Sequence, residues 1–205
     1  LWDLADSANG EQEQVGGIQF SDRSSLTFRD LLTGMKNKNL DSISEFWEDR
    51  FLADGIEGFN QEAANAAESF IMFGIGPVLQ APVSGTELRL DDPNQTVTFK
   101  WARNEKNTSH DDLRLNKYQL VLYTQDLSTV LFETGWVTDL ECTLTQADKT
   151  AISNKMTDLT DVKAVVFGKS DTASLETGPY ASNVVDLKVQ DAKRWIVKVV
   201  DSSGR

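Results

Sequence analysis

Histidine and cysteine are almost missing from this chain of 205 residues: His110 and Cys142 are the sole examples. One cysteine rules out an intrachain disulfide, and one of each rules out a nitrogen/sulfur zinc site built from a single chain, which needs three or four such ligands. Basic residues are also scarce, at 20 against 32 acidic ones, for a net charge of -12. Clustered Lys and Arg are what neutralise phosphates, so a general nucleic-acid binder is excluded. No run approaches the roughly 18 apolar residues of a membrane-spanning helix, and Leu1–Gln14 has no basic segment of the kind that opens a secretory leader. What is present is ordinary globular material: 40% hydrophobic and 25% charged residues, enough apolar surface for a packed core.

The pattern changes near residue 76. Residues 1–20 include the polar, Gly-containing run DSANGEQEQVGG, which has neither helical nor strand period and is expected to be an extended arm, ordered only against something else. Residues 21–75 read as a helical region. A short helix is expected through Leu26, Phe28, Leu31 and Leu32 to Gly34. A stronger one has Ser42 and Glu45 at capping-box spacing with Leu40, Ile43, Phe46, Trp47 and Phe51 at three- and four-residue steps, ending at Asp54-Gly55. A third is expected from Asn60 to Phe73, with an alanine face suited to close packing and a stop at Gly74, Gly76 and Pro77. Such short helices bury little area alone, so they should pack on the following domain or on a neighbouring subunit.

From Pro77 the period becomes two. Strands are expected at 77–80, 87–90, 95–102, 117–124, 129–133, 140–145, 162–169 and 183–189, separated by turn residues such as Asp91-Asp92-Pro93-Asn94 and Thr177-Gly178-Pro179. Alternation puts Val97, Phe99 and Trp101 on one face, as it does Tyr118, Leu120 and Leu122, and Val185, Leu187 and Val189. Spacing of this kind indicates an antiparallel sandwich. A helical-looking stretch, 146–158, interrupts it.

The runs GPVLQAPVSGTEL, VTFKWA, YQLVLYTQDLSTVLFETGWVTDLECTLT, VKAVVFGKS and YASNVVDLKV carry a family resemblance. Over about 76–190 the chain resembles the fibronectin type III-like domains of bacterial surface and secreted proteins. There a proline-bearing first strand precedes a second strand ending in aromatic-x-Trp, here Phe99-Lys100-Trp101, and a third containing a tyrosine, here Tyr118. No family is recognised in 1–75. The expected architecture is therefore α+β: short N-terminal helices followed by an antiparallel fibronectin III/Ig-like β-sandwich. The resemblance implies binding, spacing or assembly and no catalysis or cofactor, although a fold alone establishes none of these.

The reactive residues point the same way. His110 lies in the polar run NTSHDD and reads as a loop residue, and Cys142 alternates with Leu140 and Leu144 and reads as a small core side chain. The doublets Asp91-Asp92 and Asp111-Asp112 lack a calcium-loop spacing, and Gly74-Ile75-Gly76 lacks the third glycine of a dinucleotide loop. Trp47 and Trp101 read as core; Trp136, at a turn after Gly135, and Tyr123, opposite Tyr118 on its strand, are candidate contacts for a sugar or a protein partner.

Beyond 190 the sequence QDAKRWIVKVVDSSGR places Trp195, Val197 and Val199 in alternation with Ile196, Lys198 and Val200. This is either an extra strand of this sheet, the start of a further domain, or a strand added to a neighbour, since such an edge left open invites association. The expected function is a non-enzymatic extracellular or virion structural or adhesive protein working through protein–protein assembly at a surface. The alternative is a glycan-binding accessory module. The sequons at Asn94 and Asn107 and three short Asp-Ser/Thr-aliphatic tripeptides add faint support for an extracytoplasmic location.

Overall fold

The computed structural model describes residues 12–21, 43–72, 74–104, 115–156, 160–172 and 175–190, with the side chains of 43–44 and 171–177 left out of the account. The expected helix at 24–34, His110, Asp111-Asp112, the sequon at Asn107 and the candidate strand Trp195–Val200 lie outside these residues.

The first element differs from the expected arm. Residues β1 (Gln12–Val15) and β2 (Ile18–Ser21) form a hairpin around Gly16 and Gly17. Both glycines have positive φ, 58° and 82°, which the twist of a two-residue hairpin turn requires. Val15 and Phe20 project to one side and are buried with Ile71 and Val78, so the arm is ordered by the chain itself.

Helix α1 (Ile43–Phe51) and helix α2 (Gln61–Met72) are joined by a 3-10 turn at Gly55–Gly58. Asn60 starts α2 by accepting hydrogen bonds at Oδ1 from the backbone N–H groups of Glu62 and Ala63, at 2.9 and 3.1 Å. Ala63, Ala64, Ala66 and Ala67 are all buried, a small-residue face that lets α2 lie close to its neighbours.

The remaining strands make two sheets. β3 (Val78–Ala81), β5 (Thr98–Ala102) and β8 (Glu141–Thr143) form the smaller, in the order β3-β5-β8. The larger runs β4-β11-β9-β6-β7, from β4 (Thr86–Arg89), β6 (Lys117–Thr124), β7 (Val130–Glu133), β9 (Val162–Thr172) and β11 (Val185–Gln190), and β10 (Leu175–Ala181) also pairs with β9. Pairing is antiparallel except between β4 and β11. β10 was hidden from the sequence reading by Thr177-Gly178-Pro179. That triplet is a register shift within the β9–β10 ladder, where Gly178 at φ 95° comes so close to Gly168 that a side chain would meet its carbonyl.

Trp101 and Tyr118 meet between the two sheets, with ring centroids 6.1 Å apart. The other face of the larger sheet is covered too: Phe59 stacks on Tyr123 and meets Phe167 edge-on, at 5.8 and 5.3 Å, while Trp47 from α1 and Phe70 from α2 close over Tyr180. The result is three layers sharing one core. Helix α3 (Gln146–Lys155) opens on a capping box between Thr145 and Asp148 and buries Ile152.

The β6–β7 turn carries a carboxylate held in its charged form. Asp126 Oδ1 accepts from Thr124 Oγ1 (2.6 Å), Ser128 Oγ (2.8 Å) and Ser128 N (3.1 Å), and these donors lower its pKa to about 2 from the ordinary 3.8. A depressed folded-state value means that ionised Asp126 stabilises the turn above the ordinary value, and that this contribution disappears as pH falls through about 2. An NMR titration of the Asp126 carboxyl is expected to have its midpoint near 2, and Asp126→Asn to flatten the acid limb of the stability curve. A midpoint near 4 would contradict the hydrogen-bonded turn.

Candidate functional site

The two aromatic candidates part company. Tyr123 is fully buried, with its hydroxyl donating to the Ile56 carbonyl at 2.6 Å, so it offers no surface to a sugar or a partner. Burial pushes its phenol pKa up, helped by the nearby carboxylates of Glu133 and Glu57. The expectation placed it on an open face; the helices cover that face. Trp136 stays half-buried beside the core, where Val137 and Tyr118 exchange backbone hydrogen bonds at 2.7 and 2.8 Å. Lys169 Nζ sits over the Trp136 ring, 4.8 Å from its centroid.

Cys142 is half-buried, and burial with the Asp148 carboxylate nearby raises its pKa, which opposes thiolate formation. Its expected companions separate: Leu144 is buried, but Leu140 is 42% exposed because β8 is a short strand at the sheet's edge. Asp92 is a turn residue whose carboxylate accepts from Asn94 N at 2.9 Å. Among the described residues no group of three His, Cys, Asp or Glu side chains is placed to hold a metal ion, and no helix is long and apolar enough to cross a membrane.

Strand edges are the more informative feature. On the smaller sheet the edge of β3 is closed by a side chain. Asn183 Oδ1 accepts from Leu79 N at 2.9 Å and Asn183 Nδ2 donates to Leu79 O at 3.1 Å, so one buried amide stands in for a partner strand. Among the described strands β2 pairs with β1. Between β2 and the Asn183-capped face lies an open groove of about 400 Å³, lined by Ile18, Leu79, Pro82, Val83, Val184 and Val185, with Glu68 and Asp186 among its polar residues. Val83 in its wall is 72% exposed.

Sequence reasoning missed this groove and the hairpin beside it. Val-Gly-Gly-Ile between polar and apolar alternation was the available signal for the hairpin, since a Gly pair flanked in this way favours a two-residue turn. The groove itself had none, because residues 18–20, 79–84 and 183–186 come together only in three dimensions.

No family model matches the chain, and no curated protein matches it. Solved structures similar to it include the solution structure of a fibronectin type III domain from a human protein, 13% identical over 68% of this chain and 91% of that one with a TM-score of 0.33. Another is the fibronectin type III domain of human fibronectin type III domain containing protein 3, 14% identical over 60% of this chain and 89% of that one with a TM-score of 0.31. Likenesses at that level leave the assignment to the strand order, in which β3-β5-β8 face β7-β6-β9 and the broken strand β10/β11. By that order the chain is an α+β protein built around a fibronectin type III-like β-sandwich.

Proposed function

We propose that this protein is a non-enzymatic structural or adhesive component, extracellular or on a virion, that works by protein–protein assembly. The observation that supports it most is the alternating, largely apolar sequence Trp195–Val200, which follows a sandwich whose last described strand, β11, already has β4 and β9 on its two sides. A strand-forming segment of that hydrophobicity gains most by pairing with another edge, where backbone hydrogen bonds give affinity and alternate side chains give register. Asn94, exposed at the tip of the β4–β5 turn within a sequon, is in keeping with an extracellular setting. The glycan reading is left with Trp136 alone, since Tyr123 is buried.

Light scattering on the full chain across a wide concentration range tests the assembly. The mass is expected to rise with concentration for the native sequence and to stay monomeric for Trp195→Glu/Val197→Glu. Equal monomeric masses for both would overturn self-assembly.

A further inference from the structure

We propose that β8 (Glu141–Thr143) pairs with β8 of a second copy of this chain across a two-fold axis at Cys142, joining the two smaller sheets edge to edge. The contact uses none of Trp195–Val200 and goes beyond the assembly reading above.

A two-sheet sandwich has four edge strands, and three of them are attended to here. Asn183 occupies Leu79 on β3. On β4 the Gln95 amide acts in the same way: Oε1 accepts from Arg89 N at 2.6 Å and Nε2 donates to Glu87 O at 2.8 Å, the two bonds that one residue of a parallel strand would make. Helix α3 packs alongside β7. β8 has β5 on one side and, among the described strands, none on the other.

The ladder shows which groups of β8 are unspent. Trp101 N donates to the Leu140 carbonyl at 3.0 Å and Leu144 N to the Val97 carbonyl at 3.1 Å, so Leu140, Cys142 and Leu144 turn their backbone groups toward β5. Those of Glu141 and Thr143 therefore point outward. Both residues are exposed, and their side chains lie across the ladder, Glu141 on Lys100 at 3.4 Å and Thr143 on Thr98 at 2.8 Å.

A second β8 complements the first in one register. Antiparallel pairing centred on Cys142 sets Glu141 of each copy against Thr143 of the other and makes four backbone hydrogen bonds from the outward groups. Opposing Glu141 to its own copy would bring like charges face to face. A register centred on Thr143 would call on the Thr145 N–H, which is already donated to Asp148 in the capping box of α3. The inner face fits as well. Leu140, Cys142 and Leu144 stand beside Trp101, Phe99 and Val97, and the Cys142-centred register stacks Leu140 on Leu144 of the second copy, covering a side chain left 42% exposed. Four bonds and two leucine pairs fall well short of the roughly 800 Å² a side of a stable complex. The contact is thus transient between free molecules and counts where copies are already concentrated, as in an assembly.

Disulfide trapping reads such a transient pair. In this register the two Cys142 residues form a non-bonded pair with Cα atoms about 4.5 Å apart, within the span of a disulfide. Full-length protein carrying Trp195→Glu/Val197→Glu is treated with diamide, which takes up two electrons and two protons as two thiols join. The rate of linked-dimer formation is divided by each variant's rate with iodoacetamide, which corrects for thiol reactivity. Thr143→Lys sets opposite charges against Glu141 twice per dimer and is expected to speed linkage about fivefold, and Thr143→Glu to slow it about fivefold. Ala53→Lys and Ala53→Glu, exposed on the helical layer, change net charge equally and are expected to differ little. No linked dimer, equal rates for the two Thr143 variants, or a difference no larger than that of the Ala53 pair would overturn the β8 contact. Loss of linkage on adding a peptide of residues 191–202 would overturn it too, by making that strand the occupant. Assembly through Trp195–Val200 is decided separately, by the light scattering of the native chain, and none of the first three results bears on it.

Discussion

Trp47→Ala is expected to destabilise the protein by about 3–5 kcal/mol, the range for removing a large aromatic side chain from a core that cannot collapse around the cavity. Trp47 is completely buried, and its ring lies 5.0 Å from Phe51, 4.9 Å from Phe70 and 6.2 Å from Tyr180. These neighbours belong to α1, α2 and β10, so the hole would open where helices and sheet meet. The indole adds a directional contact, since Nε1 donates to the Pro179 carbonyl at 2.7 Å, in the strand segment disrupted by the β9–β10 register shift. Trp47→Phe keeps much of the ring contact and loses that bond, and is expected to cost about 1–2 kcal/mol. Denaturant unfolding followed both by tryptophan fluorescence and by far-UV circular dichroism gives the check. One shared transition, moved to lower denaturant with its slope unchanged, is expected if helices and sandwich form a single cooperative core. Two separated transitions, with the sandwich at its native midpoint, would mean that the helices are an independent layer and that the core they share carries little energy.

The same junction explains what the sequence revealed and what it withheld. Strand β6 was legible to the residue at Lys117–Thr124, because β-branched and aromatic residues cluster between clear turn signals. Its surroundings were not. Alternation assigned Tyr118, Leu120 and Leu122 inward, yet Val121 and Tyr123 on the other face are as apolar, and that is the mark of a strand covered on both sides. Read in that way, Tyr123 belongs to a second buried layer, and the alanine face of α2 with Phe59 before it supplies the cover. Local chemistry fixed ends well: Asn60 caps α2, and Gly74 and Gly76 follow it at φ 87° and 92°. β10 failed because its Gly-Pro is a turn signal that here serves a bulge, and the Gln12–Ser21 hairpin failed because polar residues outnumber apolar ones in it. Val15 and Phe20 suffice, since they need to fill only the space left by Ile71 and Val78. The groove between β2 and the Asn183-capped face was hidden, because a groove is a relation among distant segments; Trp195, Val197 and Val199 lie outside the described residues.

Lys149 is the second residue whose replacement is expected to act strongly, and the sign depends on which of two opposing effects wins. Its side chain is 1% exposed, an unusual place for an ammonium, and Nζ donates to the carbonyls of Asp92 and, at 2.9 Å, Gln95. Three residues earlier, on the same face of α3, Gln146 Nε2 donates to the Leu90 carbonyl at 3.0 Å. The first turn of α3 thus serves three carbonyls of the β4–β5 connection, whose ends are tied in by Leu90 N donating to the Gln190 carbonyl at 2.9 Å and Leu144 N donating to the Val97 carbonyl at 3.1 Å. Removing the ammonium relieves the cost of burying a charge, but leaves two carbonyls without their donor, and charge-assisted bonds of this kind contribute about 1.5–3 kcal/mol each. The turn is partly exposed, so water recovers some of that loss. Lys149→Met, which keeps the buried chain, is expected to destabilise by about 1–2 kcal/mol, and Lys149→Ala, which also opens a cavity under α3, by about 2–4 kcal/mol. Hydrogen exchange locates the effect: faster exchange confined to 90–97 and the start of α3 is expected in both variants. If Lys149→Met proves as stable as the native protein, desolvation of the ammonium cancels its hydrogen bonds, and the clamp fixes the turn's conformation without adding to its stability.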